Sequence, residues 1–254
     1  MPNPSGGRLA ELTRTAVVRA AALAGRAGPA PVDAGTLASL LYRAGGAVPD
    51  PRLDPRWPRH AVLRAERAVP CGLGDWVPSS TDHWLGRTAA GIDPDTLVHK
   101  VYVSPRVAAL ADALQILLPL AVALRVPAWK VGADVAGVHR ADKVVLYLAS
   151  AADADRVATA TAAALDGMAA QGVPFTGQVG RTGVVSRGRD VGGTSWRAVI
   201  CRAVADALRV ARVGLGPDAG AGTVAAAALA RVAAAGHDVR TWHPGADPRP
   251  AVHP

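Results

Sequence analysis

Residues 97–150 read LVHKVYVSPRVAALADALQILLPLAVALRVPAWKVGADVAGVHRADKVVLYLAS, and the fold turns on how this stretch is divided. LVHKVYVS (97–104) has the β-branched, aromatic-containing character of a strand. Ser104-Pro105 then offers an N-cap and a proline at the first helical position. An apolar helix is predicted from there to about residue 125. PAWKVG (127–132) reads as a short strand and DKVVLYLAS (142–150) as a clear one.

Side chains alternate across a strand. Lys100, Tyr102 and Ser104 therefore share one face, with His99, Val101 and Val103 on the other. Lys100 and Tyr102 are roughly 7 Å apart on that spacing. In the 142–150 strand Lys143, Val145 and Tyr147 share a face, and Arg140 lies just before it. The helix that follows 97–104 is expected to bring free N–H groups to this end, which favours an anion.

Lysine is scarce elsewhere. Of 28 Lys and Arg residues only Lys100, Lys130 and Lys143 are lysine, and all three fall in this stretch. An arginine cannot give up its proton in a protein, whereas a lysine can once burial or neighbouring cations lower its pKa. The cluster points to a site that uses an amine.

Outward from the centre, residues 8–25 and 35–44 read as amphipathic helices separated by GRAGPAPVDAG. Residues 1–46 form a helical N-terminal region. Residues 47–96 are read as irregular, with many prolines and Trp57, Trp76 and Trp84. Residues 151–170 are predicted helical with acids in the first turn. PFTGQVGRTGVVSRGRDVGGTS (174–195) reads as a Gly/Arg-rich loop with at most a short strand. Arg181, Arg187 and Arg189 on it suit phosphate contact. Helices follow near 196–212 and 221–235, closing a core of 97–236. The Pro-rich tail, 237–254, is expected to be poorly ordered. The chain is read as one domain.

The net charge of +8 implies an anionic partner. Dispersed arginines and few aromatics argue against nucleic acid. The apolar runs of 107–126 are too short to span a bilayer, and the N-terminus lacks an apolar signal core. Cys71 and Cys201 form neither a metal-spaced pair nor a disulfide framework, which fits a reducing cytoplasm. No metal-ligand spacing, dinucleotide fingerprint, nucleophile elbow or kinase signature is present.

Lysines, arginines and a tyrosine without an obvious carboxylate base suit the stabilisation of a dianion and its leaving charge. A lysine of depressed pKa among cations can act as the base. The implied reaction is proton abstraction beside a carbonyl with loss of phosphate. Blander readings stand beside this one. Tyr147 is equally an ordinary strand tyrosine, Lys143 a solvated strand residue, and Arg187 and Arg189 part of a solvated basic loop.

The strings KVYVS, HRADKVVLYL, PFT and GVVSRGRDVGGTSWRAVICRAVADAL resemble the Hop-A type III effector-like proteins, the stand-alone lyases of class V lanthipeptide and thioviridamide-type peptide pathways. The resemblance covers about residues 97–235. More distantly, the order of lysine, Trp-Lys, arginine and Leu-Tyr resembles phosphothreonine lyases and the lyase domains of lanthipeptide synthetases. The resemblance implies an α+β fold with a small antiparallel sheet flanked by helices. It implies elimination of phosphate from phosphoserine and phosphothreonine of a precursor peptide, giving dehydroalanine and dehydrobutyrine, without metal or organic cofactor.

Carried over by motif, Lys130 is the base, Lys100 stabilises the enolate, and Arg140 with Arg187 or Arg189 holds phosphate that Tyr147 orients. Tyr102 stands where the distant lyases have a histidine acid. The implied partners are the phosphorylated precursor peptide and a separate kinase chain in complex with this one, with no nucleic acid or membrane. The alternative is a non-catalytic phosphopeptide-binding scaffold.

Overall fold

A computed structural model describes residues 7–25, 32–70 and 73–244. The molecule is α+β, as the sequence led us to expect. Its sheet has seven strands, all paired antiparallel: β1 (Trp76–Pro78), β2 (Trp84–Ala89), β3 (His99–Val103), β4 (Ala128–Gly132), β5 (Val144–Leu148), β6 (Gly177–Val179) and β7 (Val185–Arg189). The spatial order is β1-β2-β4-β5-β3-β7-β6, which puts the three lysine-bearing segments side by side at the centre.

The helices among the described residues are α1 (Arg8–Ala24), α2 (Ala34–Arg43), α3 (Trp57–Arg67), α4 (Leu110–Ala123), α5 (Val135–His139), α6 (Ala151–Ala164), α7 (Trp196–Leu215) and α8 (Ala221–Ala234). One sheet face carries Val101, Val103, Trp129, Val131, Val144 and Leu146. These bury against the leucines of α4 and the apolar sides of α3 and α6. Removing that much apolar surface from water is the main force holding the layers together. A second core joins α1, α2, α7 and α8 around Phe175 and Trp242.

Several sequence expectations are corrected. Residues 47–96 are not irregular, because they hold α3 and extend the sheet by β1 and β2. Trp76 seats this extension: it packs edge-on against Trp129, with centroids 5.8 Å apart, and its Nε1 donates to the Val126 carbonyl. Ser104 does not cap a helix. The chain first runs through an isolated bridge at Pro105, and a 3-10 turn at Val107–Ala109 precedes α4. The N–H groups of Ser104 and Arg106 donate to the Val184 and Ala169 carbonyls. The 174–195 loop contains β6 and β7. The tail reading fails for the described residues 237–244, where Trp242 is 2% exposed; residues 245–254 lie outside the described residues.

Candidate active site

The register of the central strands assembles the site. Lys100 lies opposite Tyr147, Tyr102 opposite Val145, and Lys130 opposite Val145 from the other side. Alternation then puts Lys100, Tyr102, Lys130 and Tyr147 on one face, away from the α4 core. The Tyr147 ring sits between the two amines, 5.3 Å from each Nζ. Lys130 also lies over Trp84 of β2, 4.3 Å from its centroid.

The two lysines differ in their partners. Lys100 pairs with Asp190 at 2.6 Å. The other oxygen of that carboxylate, Oδ1, is buried without a hydrogen-bond partner among the described residues. Lys130 makes no ion pair among the described residues. Burial, then the Lys100 and Arg140 charges, lower its pKa to about 8, against the pull of Asp142 and Asp190.

Arg140 follows α5, which lies close against the end of β4. The approach depends on two glycines: a Cβ on Gly132 would lie 2.4 Å from the Gly137 carbonyl carbon. Nε and Nη2 of Arg140 both donate to Asp142, at 2.8 and 3.1 Å. Its guanidinium lies 5.2 Å from the Trp84 ring and 6.0 Å from the Tyr42 ring. Asp142 is clamped further by Arg197 of α7 at 3.0 Å and by the Tyr42 hydroxyl at 3.2 Å. Burial pushes the Asp142 carboxyl up, but Arg197 and Arg140 outweigh it and hold the pKa at about 2. Arg197 is wholly buried and also donates to the Pro174 and Tyr42 carbonyls. Asp142 thus fixes Arg140 at the rim, and Arg197 fixes Asp142.

The structure does not bring every expected residue together. Arg187 and Arg189 pair in register with Val101 and His99, so they leave the sheet on the opposite face. Arg187 is paired there with Asp155 of α6. Their assignment as phosphate ligands is corrected: the glycine-rich segment is a strand, and its alternation sends them away. Arg181 makes an exposed pair with Asp166. Tyr102 is on the correct face but 2% exposed, walled by Ala141, Val145 and Val173, and burial raises its phenol. Gly188 leaves the room for its ring, since a Cβ there would meet Tyr102 Cε2 at 2.8 Å.

Lys143 is corrected too. It is fully buried, and its Nζ donates to Gln171 Oε1, the Pro105 carbonyl and Ser104 Oγ at 2.7, 3.0 and 3.4 Å. It is a strut, with burial lowering its pKa to about 7. Sequence reasoning missed Tyr42, Trp84, Asp142, Asp190 and Arg197 as members of the site. Among the described residues no three His, Cys, Asp or Glu side chains converge to hold a metal. None of the described helices is long and apolar enough to cross a membrane.

The arrangement is a cationic surface with one free amine, one salt-bridged amine and one clamped arginine, set on a rigid sheet. Such a surface takes an anion and can withdraw a proton beside it. The fold is shared with an effector protein of Pseudomonas syringae pv. tomato strain DC3000, at 11% identity and a TM-score of 0.58 over 92% of this chain and 98% of that one. Phosphothreonine lyase effectors are also among the structural neighbours. VirA of Chromobacterium violaceum matches at 17% identity and TM-score 0.38 over 45% of this chain. OspF of Shigella flexneri matches at 15% and 0.39 over 46% of this chain and 70% of its own. The match spans 65% of the Chromobacterium protein's length. No protein-family model and no curated protein matches the sequence.

Proposed function

We propose that the chain is a phosphoserine/phosphothreonine lyase. It eliminates phosphate from a precursor peptide phosphorylated by a separate kinase, leaving dehydroalanine or dehydrobutyrine in lanthipeptide-type biosynthesis in the cytoplasm. The observation that carries this reading is Lys130: an amine without a carboxylate partner among the described residues, held among cations and lowered to about 8. The motif resemblance across residues 97–235 supplies the pathway.

In this scheme the free amine of Lys130 takes the α-proton. Electrons from the Cα–H bond form the Cα=Cβ bond, and the Cβ–O bond breaks with its pair going to phosphate. Lys100, held by its ion pair with Asp190, meets the carbonyl oxygen on which negative charge gathers. Arg140 and Tyr147 face the phosphate. A phosphomonoester monoanion leaves as HPO₄²⁻ without a donor, whereas the dianion needs one proton.

Lys130→Ala is expected to reduce loss of phosphoric acid from a phosphothreonine peptide by at least about 10³-fold, read by mass spectrometry, because the chemistry loses its base. Retention of full elimination sinks the proposal. The burial of Tyr102, which leaves no readily reached acid there, favours a second reading: a scaffold that binds phosphopeptide without turnover. That reading requires binding of the intact phosphopeptide with no release, with or without the kinase.

A further inference from the structure

Beside the candidate site lies a cavity of about 560 Å³ between α2, the end of α5 and α7. Its size is that of a ligand pocket rather than a packing defect. Its depth comes from small side chains: Ala38 from α2, Ala136 and Ala141 around α5, and Ala198 from α7. Cys201 lies at the back, buried and with its thiol pushed up to about 12 by burial, so it is an inert apolar wall.

The cavity borders the lysine face through Arg140. Tyr42, Arg140 and Asp142 line it, and Arg140 also lies over Trp84, on which Lys130 sits. Arg43 at its mouth is exposed and makes no ion pair among the described residues. The result is a partly apolar cavity lined by two arginines, of which Arg140 also borders the lysine face.

We propose that this cavity is a specificity subsite that takes an aliphatic side chain of the peptide substrate, from a residue flanking the phosphorylated one. The inference rests on the lyase reading for its substrate class. Two observations select this occupant. The alanine and Cys201 walls are apolar, and the polar groups beside them are engaged within the protein: Arg140 and the Tyr42 hydroxyl by Asp142, whose carboxylate repels a second phosphate, and His139 by the Asp50 N–H and the Val135 carbonyl. The shared Arg140 means that a chain whose phosphate reaches the lysine face has its neighbouring residue at the cavity mouth, with Arg43 placed to meet its carbonyls or a nearby acid.

The test uses the full chain and phosphothreonine heptapeptides in which leucine or asparagine is scanned through each flanking position. Ala198→Phe fills the cavity from α7, and Ala38→Phe fills it from α2; circular dichroism checks that each folds. The wild type is expected to favour leucine at one position through KM. Either filled variant is expected to raise that KM by roughly 10–100-fold with kcat within about twofold, and to erase the preference over asparagine. Absence of a leucine preference, or a preference that survives both variants, overturns the proposal. If no peptide loses phosphate, the elimination reading fails by itself. Fluorescence anisotropy of the same labelled peptides then still decides the subsite: tighter binding of the leucine peptide that Ala198→Phe abolishes supports it, and equal binding overturns it.

Discussion

Lys130 can act only as a free amine, so pH separates the two ways of losing phosphate. Its pKa in the folded chain is lowered from 10.5 to about 8, and the active, neutral form therefore grows as pH rises through 8. The second ionisation of a phosphomonoester lies near about 6. If the monoanion reacts, kcat/KM is a bell with limbs near about 6 and 8. If Tyr102 donates the proton, the dianion reacts, and kcat/KM climbs through about 8 to a plateau, because burial keeps the phenol protonated. With Tyr102 buried, the bell is the expected profile, unchanged by Tyr102→Phe; a plateau that Tyr102→Phe converts to a bell would reinstate the tyrosine as acid. The scarce lysines marked this site in the sequence, and alternation placed Lys100 and Tyr102 on one face of their strand and Lys143 and Tyr147 on one face of theirs; only the register joined Tyr147 to Lys100. Alternation could not reveal that Lys143 is a strut, since its three acceptors come from Ser104, Pro105 and Gln171. Nor could it supply Tyr42 and Arg197, which meet Asp142 and each other across 100 and 155 residues of chain.

At the scale of elements, the three central strands were legible because each is a short run rich in β-branched and aromatic residues. The strand carrying Arg187 and Arg189 was not, because Gly183 and Gly188 interrupt its pattern; reading it as a loop left both arginines free to point at the site. The segment before β3 was obscured in the same way by its prolines. The five-residue α5 is too short to show a helical period, yet it sets Arg140 beside Lys130. That placement depends on the backbone contact between Gly132 and Gly137, where no side chain fits. Gly132→Ala should push α5 off the end of β4, lowering stability by about 1–3 kcal/mol through overpacking. It should also cut kcat/KM for elimination by roughly tenfold or more, since about an ångström of misplacement is costly in a preorganised site. A fall in melting temperature with unaltered kinetics would show that Asp142 alone positions Arg140.

Across the whole molecule, the turn Pro174–Phe175–Thr176 is one of the links between the sheet and the helical layer. Phe175 is fully buried with φ 63°, a left-handed conformation that a bulky residue adopts only when its surroundings enforce it. Thr13 of α1 accepts its N–H, Trp242 packs edge-on at 5.4 Å, and the Pro174 carbonyl takes Arg197 Nε. Thr176 Oγ1 ties the turn to Ser186 of β7 at 2.8 Å. The motif Pro-Phe-Thr was visible in the sequence, but its role was not, because the tryptophan that holds it lies in a proline-rich tail that composition reads as disordered. Trp242→Ala removes a buried indole from beside a strained turn and leaves a cavity in the helical core. The expected cost is about 3–5 kcal/mol in urea unfolding, with the slope unchanged. The lysine face is built on the sheet, so the folded fraction should keep its elimination rate within about threefold, because separated sites act independently. An unmoved urea midpoint would mean that α1 and α7 hold Phe175 without help from the tail. A rate loss in step with the stability loss would mean that the turn sets Arg140 through Arg197 and Asp142.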